Sequence, residues 1–276
     1  MAGFRAGPDQ GPPLTSGNTR VKTARKLARR TFRGDERLFL ADGPKAVEGA
    51  LAVPGCVVEV FATPDATASY ADLAAADVRW TLVDDRALAS LSDSVNPAGV
   101  VAVCRFLDRP LGHLLDPERG ARLVAICADV RDPGNAGTVI RCADAAGADA
   151  VVLAGHSVDA YNPKTVRASV GSLFHLPLAT EPDPAAAVAA ARAAGLTVLA
   201  ADGAGEVDLD HADELRAGPT AWLFGNEAWG LPDELASLAD HRVRIPIHGR
   251  AESLNLATAA ALCLFASARA QRAQRA

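Results

Sequence analysis

Apolar positions along this chain repeat first with helical and then with strand periods, and the alternation starts twice. From about 19 to 33, Val21, Ala24, Leu27 and Ala28 fall on one helical stripe with cations elsewhere. RLFLADG follows as a short strand and turn. PKAVEGALA opens a helix at Pro44, where the missing N–H costs nothing. VVEVFAT, RWTLV and VVAVCRF then read as strands between the helical stretches ATASYADLAAAD and DRALASLSD, and this α/β pattern ends near Asp108. After RPLGHLLDPERGA (109–121), a linker by its Pro and Gly, the pattern restarts. LVAICADV, AVVLAG, LTVLAAD, TAWLFG and VRIPI are strands. DPGNAGTVIRCADAAGA, NPKTVRASVGSL, PAAAVAAARAAG (closed by Gly195) and the Ala-rich 253–271 are helical. Short strands separated by helices predict a mostly parallel sheet covered on both faces. The expected organisation is a disordered tail over 1–18, an α/β domain over 19–108, a linker over 109–121 and a second α/β domain over 122–276.

Two strand ends in the last third carry polar groups. TAWLF stops at Gly225 and is followed by Asn226 and Glu227; VRIPI stops before His248 and Gly249, and Ser253, Leu254 and Asn255 then open the last helix. Ligands of open α/β sheets bind outside the carboxyl ends of the strands, so the site is expected between these two turns.

Composition narrows the chemistry. With 276 residues, 49% apolar and 22% charged, the chain can bury a sizeable core. The net charge of −5 hides a local excess: Arg20, Lys22, Arg25, Lys26, Arg29, Arg30 and Arg33 stand together without an acid between them. That stretch is either a solvated helix face or a docking surface for phosphates. Cys56, Cys104, Cys127, Cys142 and Cys263 show no CxxC spacing and read as reduced, mostly buried thiols. No secretory signal and no run of about 20 apolar residues is present, which predicts a cytoplasmic protein without a membrane span. The histidines stand at no metal-ligand spacing, so no metal is expected. A dinucleotide oxidoreductase is disfavoured because GAGEVD (203–208) holds only part of a GxGxxG; P-loop and GxSxG motifs are absent.

Five residues are candidates for chemistry. Asn135 stands where a helix begins and reads equally as its N-cap. Arg141 lies less than two turns further on, roughly on the opposite face unless the helix starts after Gly137. Buried, its guanidinium needs an anionic partner; exposed, it is unremarkable. Glu227 is either a solvated loop acid or a group held close to something flat by Gly225 and Gly230. Of Ser253 and Asn255, one caps the last helix, whose N-terminus favours an anion such as phosphate.

GNAGTVIRCADAAGA, LFGNEAWGLPDEL and IPIHGRAESLNLATAAALCLF, in that order, resemble the three signature motifs of the SpoU/TrmH ribose 2′-O-methyltransferases, and VRASVGSLFHLP (166–177) fits the same family. More weakly, the N-terminal half, with SVNPAGVVAV (94–103) near its end, is similar to the small RNA-binding domain shared with kink-turn-binding ribosomal proteins. The resemblance implies a parallel-sheet SPOUT methyltransferase domain with a C-terminal trefoil knot, S-adenosylmethionine (SAM) as cofactor, and a homodimer in which an arginine reaches the partner's cofactor. By motif position it puts cofactor contacts at Gly225, Ile245 and Leu254, the catalytic arginine at Arg141 with Asn135 supporting it, the remaining polar positions at Glu227, Ser253 and Asn255, and an RNA contact at Arg167. Ala228 replaces the commoner Gly and Leu256 the commoner Val.

These expectations point to methylation of a ribose 2′-hydroxyl in RNA, 23S ribosomal RNA first. A guanidinium with a pKa above ~12 is a poor base, so Arg141 is expected to orient the hydroxyl and stabilise the developing alkoxide. Arg25, Lys26, Arg29 and Arg30 would then dock RNA phosphates. The competing readings are a tRNA ribose methyltransferase, base methylation by a related knotted family, and a catalytically silent RNA-binding module.

Overall fold

Two clusters of apolar side chains, each closed over its own sheet, organise the computed structural model, which describes residues 11–274. The described chain divides into a first unit, residues 11–107 with 161–174, and a second, residues 108–160 with 175–274. Of the tail expected over 1–18, residues 1–10 lie outside the described residues. The remainder is ordered: Leu14 bridges Val83, its N–H donating to the Leu82 carbonyl at 2.8 Å, and Asn18 caps the first helix.

The first unit runs α1 (Thr19–Lys26), α2 (Arg30–Glu36), β1 (Leu38–Asp42), α3 (Pro44–Ala52), β2 (Val57–Ala62), α4 (Pro64–Ser69), α5 (Ala71–Ala74), β3 (Trp80–Leu82), α6 (Asp85–Ala89) and β4 (Val100–Arg105). Its sheet order is β1-β4-β2-β3, with β4 antiparallel to both neighbours and β2 parallel to β3. The single helix expected over 19–33 is two helices. Arg33 is buried, and its Nη1 donates to the carbonyls of Leu27 (2.9 Å) and Ala28 (2.8 Å), so α1 ends there and the chain turns. Val21, Ala24 and Leu27 enter the core as the stripe predicts, while Ala28 is exposed.

The second unit begins with α7 (Leu111–Leu114), inside the expected linker, because Leu114 and Leu115 are core residues. β5 (Leu123–Ala128), α8 (Pro133–Ala146) and β6 (Ala150–Ala154) follow. The chain then leaves for α9 (Pro163–Ser169), which belongs to the first unit: Tyr161 and Phe174 pack on Phe39, with ring centroids at 4.6 and 5.9 Å, and Phe106 stacks on Tyr161 at 3.9 Å. It returns for β7 (Leu178–Glu181), α10 (Pro184–Ala193), β8 (Thr197–Ala201), β9 (Val207–Asp208), α11 (Asp213–Ala217), β10 (Thr220–Phe224), α12 (Asp233–Ala236), β11 (His241–Arg244) and α13 (Leu256–Ala273).

These strands form one parallel sheet ordered β7-β6-β5-β10-β8-β11-β9. Alternation along β10 sends Ala221 and Leu223 into the cluster with α7 and α10, and Trp222 to the other face, where its Nε1 donates to Ser267 Oγ of α13 at 2.9 Å. Burial on both faces is why TAWLF is an unbroken apolar run. Small residues let α13 pack along α8, and Gln271 Nε2 ties the carbonyls of Arg122 and Gly218, 2.9 Å each, where β5 and β10 begin. The strand expected through VRIPI ends at Arg244; Pro246 has no N–H to continue a ladder.

Candidate functional site

The carboxyl ends of β5, β8, β10 and β11 meet in the second unit. At the end of β5, Asp129 adopts a left-handed backbone (φ 56°), and its Oδ1 accepts the His156 N–H at 2.7 Å. The Asp129 carbonyl accepts Asn226 Nδ2 at 2.7 Å, so the end of β10 is tied to the end of β5 by a buried amide. Asn226 and Gly230 exchange two backbone hydrogen bonds of 2.9 Å, closing the turn that carries Glu227. Gly225 has to be glycine: a Cβ there would stand 2.3 Å from the Gly230 carbonyl carbon and 2.5 Å from the Leu231 nitrogen.

Glu227 reaches from this turn to the start of α8. Its carboxylate accepts the backbone N–H groups of Asp132 (3.0 Å) and Arg131 (3.2 Å) and the side-chain Nδ2 of Asn135 (3.2 Å). Burial raises its pKa, but these bonds together with its own backbone N–H outweigh that and hold the carboxyl below its ordinary value. Asn135 in turn accepts from Asn255 Nδ2 at 3.0 Å. Three residues from three distant stretches, Glu227, Asn135 and Asn255, thus form one chain of hydrogen bonds. Beneath it, burial and, secondarily, the charge of Glu227 push the Cys127 thiol up to about 12, leaving it an inert neutral group.

Asn135 does not cap α8. With Pro133 in the first turn, Asp132 is the N-cap, its Oδ1 accepting the Asn135 N–H at 2.8 Å, and the Asn135 amide is left for the network. Asn255 is the N-cap of α13, taking the N–H groups of Ala257 (2.9 Å) and Thr258 (3.4 Å). Of the two candidates it is therefore Asn255, not Ser253, that caps the last helix.

A cleft of about 290 Å³ opens between the two turns. Gly225, Ile245 and Leu254 line it, as do Glu227 and Ser253, with Ile247 and Leu256 adding apolar wall. Asp202, at the end of β8, and Glu252 line it too. Neither was singled out in the sequence, although an acid closing LTVLAAD at a strand's carboxyl end is a visible cue. Arg141 is not among the lining residues. It is exposed on α8 and, among the described residues, makes no hydrogen bond or ion pair. Helix geometry from Pro133 turns the Asn135 and Arg141 side chains to different faces, and the Asn135 bonds run to Glu227 and Asn255.

The remaining candidates lie in the first unit. Arg25, Lys26, Arg29 and Arg30 are exposed around the α1–α2 turn. Arg167, on α9, forms an ion pair with Asp93, so any RNA contact there must compete with a carboxylate. Among the described residues no group of His, Cys, Asp and Glu could hold a metal ion, and no helix is long and apolar enough to cross a membrane.

The sequence model described as the SpoU rRNA Methylase family matches residues 122–265, and one described as an MRM3-like substrate binding domain matches residues 18–102. The chain is 35% identical over 251 residues to the 23S rRNA (guanosine(2553)-2′-O)-methyltransferase RlmP of Bacillus subtilis (strain 168), covering 90% of this chain and 95% of that one. Among solved structures it resembles an AdoMet-bound rRNA methyltransferase from Sinorhizobium meliloti, with a TM-score of 0.81, 37% identity and 94% and 97% coverage. It also resembles the SpoU methyltransferase AviRb from Streptomyces viridochromogenes in complex with AdoMet, with a TM-score of 0.80, 33% identity and 93% and 100% coverage.

Proposed function

The chain belongs to the SpoU rRNA methylase family, and on that footing we infer that it transfers a methyl group from SAM to a ribose 2′-hydroxyl of 23S ribosomal RNA, in the cytoplasm. The observation that carries the reading is the joining of Glu227, Asn135 and Asn255 beside a cleft whose chemistry suits SAM.

The cleft fits in three respects. Ile245, Ile247, Leu254 and Leu256 give an apolar slot for an adenine ring, and Gly225, packed against the Gly230 backbone, fixes the shape of the wall it faces. Glu227 and Glu252 supply negative charge near a ligand bearing a sulfonium and an ammonium, while Asp202 on the same wall is ion-paired with Arg242 at 2.7 Å. Bound there, SAM supplies an electrophilic methyl group and a good leaving group.

What the chain adds is orientation and electrostatics. Glu227 has its carboxylate occupied by three N–H donors and a lowered pKa, so it braces the site instead of collecting the hydroxyl proton. Asn135 is held from both sides and presents a fixed amide. Ser253, on the cleft wall and without a hydrogen-bond partner among the described residues, is available to the ribose. Arg141 would orient the 2′-hydroxyl and the adjacent phosphate and stabilise the alkoxide. Its exposure suits a homodimer in which it enters the partner's site, with Leu262 and Phe265 of α13, each more than two-fifths exposed, in the contact. The trefoil knot and the RNA-docking role of Arg25, Lys26, Arg29, Arg30 and Arg167 belong to the same reading, as does a division into a substrate-binding and a catalytic domain.

The test is transfer of labelled methyl groups from SAM to ribosomal RNA lacking its 2′-O-methyl marks, followed by nucleoside analysis. A 2′-O-methylated nucleotide in 23S RNA supports the assignment. Methylation of a base, label only in tRNA, or SAM binding without transfer overturns it.

A further inference from the structure

Of the three tryptophans, Trp80 and Trp222 are 2% and 0% exposed, whereas Trp229 is 55% exposed. An indole left in water forgoes a large apolar gain, so its place beside the site calls for a partner. Trp229 stands in the turn that carries Glu227. Its neighbours Ala228 and Gly230 line the cleft while Trp229 itself does not, which puts the ring on the outer wall of the turn. The ring is not loosely hung: the Asn226–Gly230 backbone pair closes the turn on either side of it.

The Arg131 guanidinium carbon lies 5.1 Å from the centre of that ring. Arg131 comes from the far end of β5, and its backbone N–H donates to Glu227 at 3.2 Å. Indole and guanidinium therefore depend on one hydrogen-bonded frame, the same that fixes Asn135. A solvent-open pair carried on a braced backbone matches an unpaired nucleobase: every base has a π-face, and proteins reading single-stranded RNA stack splayed bases on aromatic rings and guanidinium planes. A base inside a duplex has no free face to offer.

We propose that Trp229, backed by Arg131, is a stacking platform for an unpaired base of the RNA substrate, positioning the nucleotide at or next to the methylated ribose. This rests on the RNA reading above and extends it: the target must be presented in a loop or unstacked from its helix.

Buried Trp80 and Trp222 leave Trp229 as the indole whose emission a stacked base can quench. Titrating the full-length protein with an unpaired oligoribonucleotide of about ten residues should quench a component of emission that is missing in Trp229→Phe. An abasic oligomer with the same number of phosphates should not quench it. Trp229→Ala should weaken RNA affinity and raise KM for RNA about tenfold, with SAM affinity unchanged, and Trp229→Phe should restore most of the loss. Equal quenching by the abasic oligomer, or unchanged RNA affinity in Trp229→Ala, overturns the proposal. So does a shift from dimer to monomer on sedimentation of Trp229→Ala, which would make the indole a contact between copies of the chain. If the wild-type protein methylates no RNA, the proposed function fails; the oligonucleotide titration still decides the platform.

Discussion

Asn255 gives its side-chain Nδ2 to the Oδ1 of Asn135 at 3.0 Å while its own Oδ1 caps α13. One amide thereby fixes the start of the last helix and couples it to the start of α8. Asn255→Asp separates the two tasks, since it keeps the capping oxygen and removes the donor. Thermal stability is expected to stay close to wild type, where Asn255→Ala loses about 1 kcal/mol. Turnover should fall about tenfold in both, the worth of roughly 1.4 kcal/mol of positioning. Wild-type turnover in Asn255→Asp would show the link to be idle.

Glu227 should leave its mark in acid. Its folded pKa lies below the ordinary 4.5 despite burial, because three N–H groups and the Asn135 amide favour the charged form. Stability from such a group is fully present above the unfolded value and is lost as pH falls through the folded one. The melting temperature of wild type is therefore expected to drop more steeply below about pH 4.5 than that of Glu227→Gln. Above it the two curves should run parallel, the variant lower. Identical slopes in acid would rule out the depressed pKa.

At Gly225 there is no room for a methyl group. Gly225→Ala would press a Cβ against the Gly230 carbonyl, and backbone has to move. A stability loss of about 1–3 kcal/mol is expected, with SAM affinity reduced more than tenfold as the cleft wall shifts. Calorimetric titration of SAM checks this; unchanged affinity would place the ligand elsewhere.

Arg141→Ala tests the charge itself. An exposed helix residue without partners contributes within about 0.5 kcal/mol of stability, so the fold and SAM affinity should be untouched while turnover falls about a hundredfold or more. Poor SAM binding with normal turnover at saturation would reverse the assigned role.

The basic turn lends itself to a salt titration. Replacing Arg25, Lys26, Arg29 and Arg30 by glutamine should weaken RNA binding and lower the slope of log K against log salt by about three, with SAM affinity constant. Arg33 has to be spared: it is buried against the carbonyls that end α1, and its loss would disturb the fold. An unchanged slope would return these cations to the status of a solvated face.

Much of the second unit was legible because parallel strands buried on both faces write long apolar runs, as in LVAICA and TAWLF. The polar residues at strand ends, Glu227 and Asn255, were legible for the same reason: the runs stop there. What local pattern could not show was where side chains double back. Arg33 looks like its cationic neighbours and yet ends α1. Asn135 looks like a cap, but the proline two residues earlier moves the helix start and passes the cap to Asp132. Leu114 and Leu115 sit in a stretch rich in Pro and Gly, and the short, half-exposed β7 has too little alternation to stand out. Only tertiary packing on Phe39 assigns Tyr161 and Phe174 to the first unit.

That excursion through 161–174 has a bearing on how such a protein can be re-engineered or can diverge. The first unit is discontinuous in the gene, so a graft that joins a foreign recognition module at residue 107 would leave behind α9 and its aromatic anchors, with nothing to receive them. A viable chimera must carry both pieces together. The same constraint means that the two units cannot be exchanged as separate cassettes.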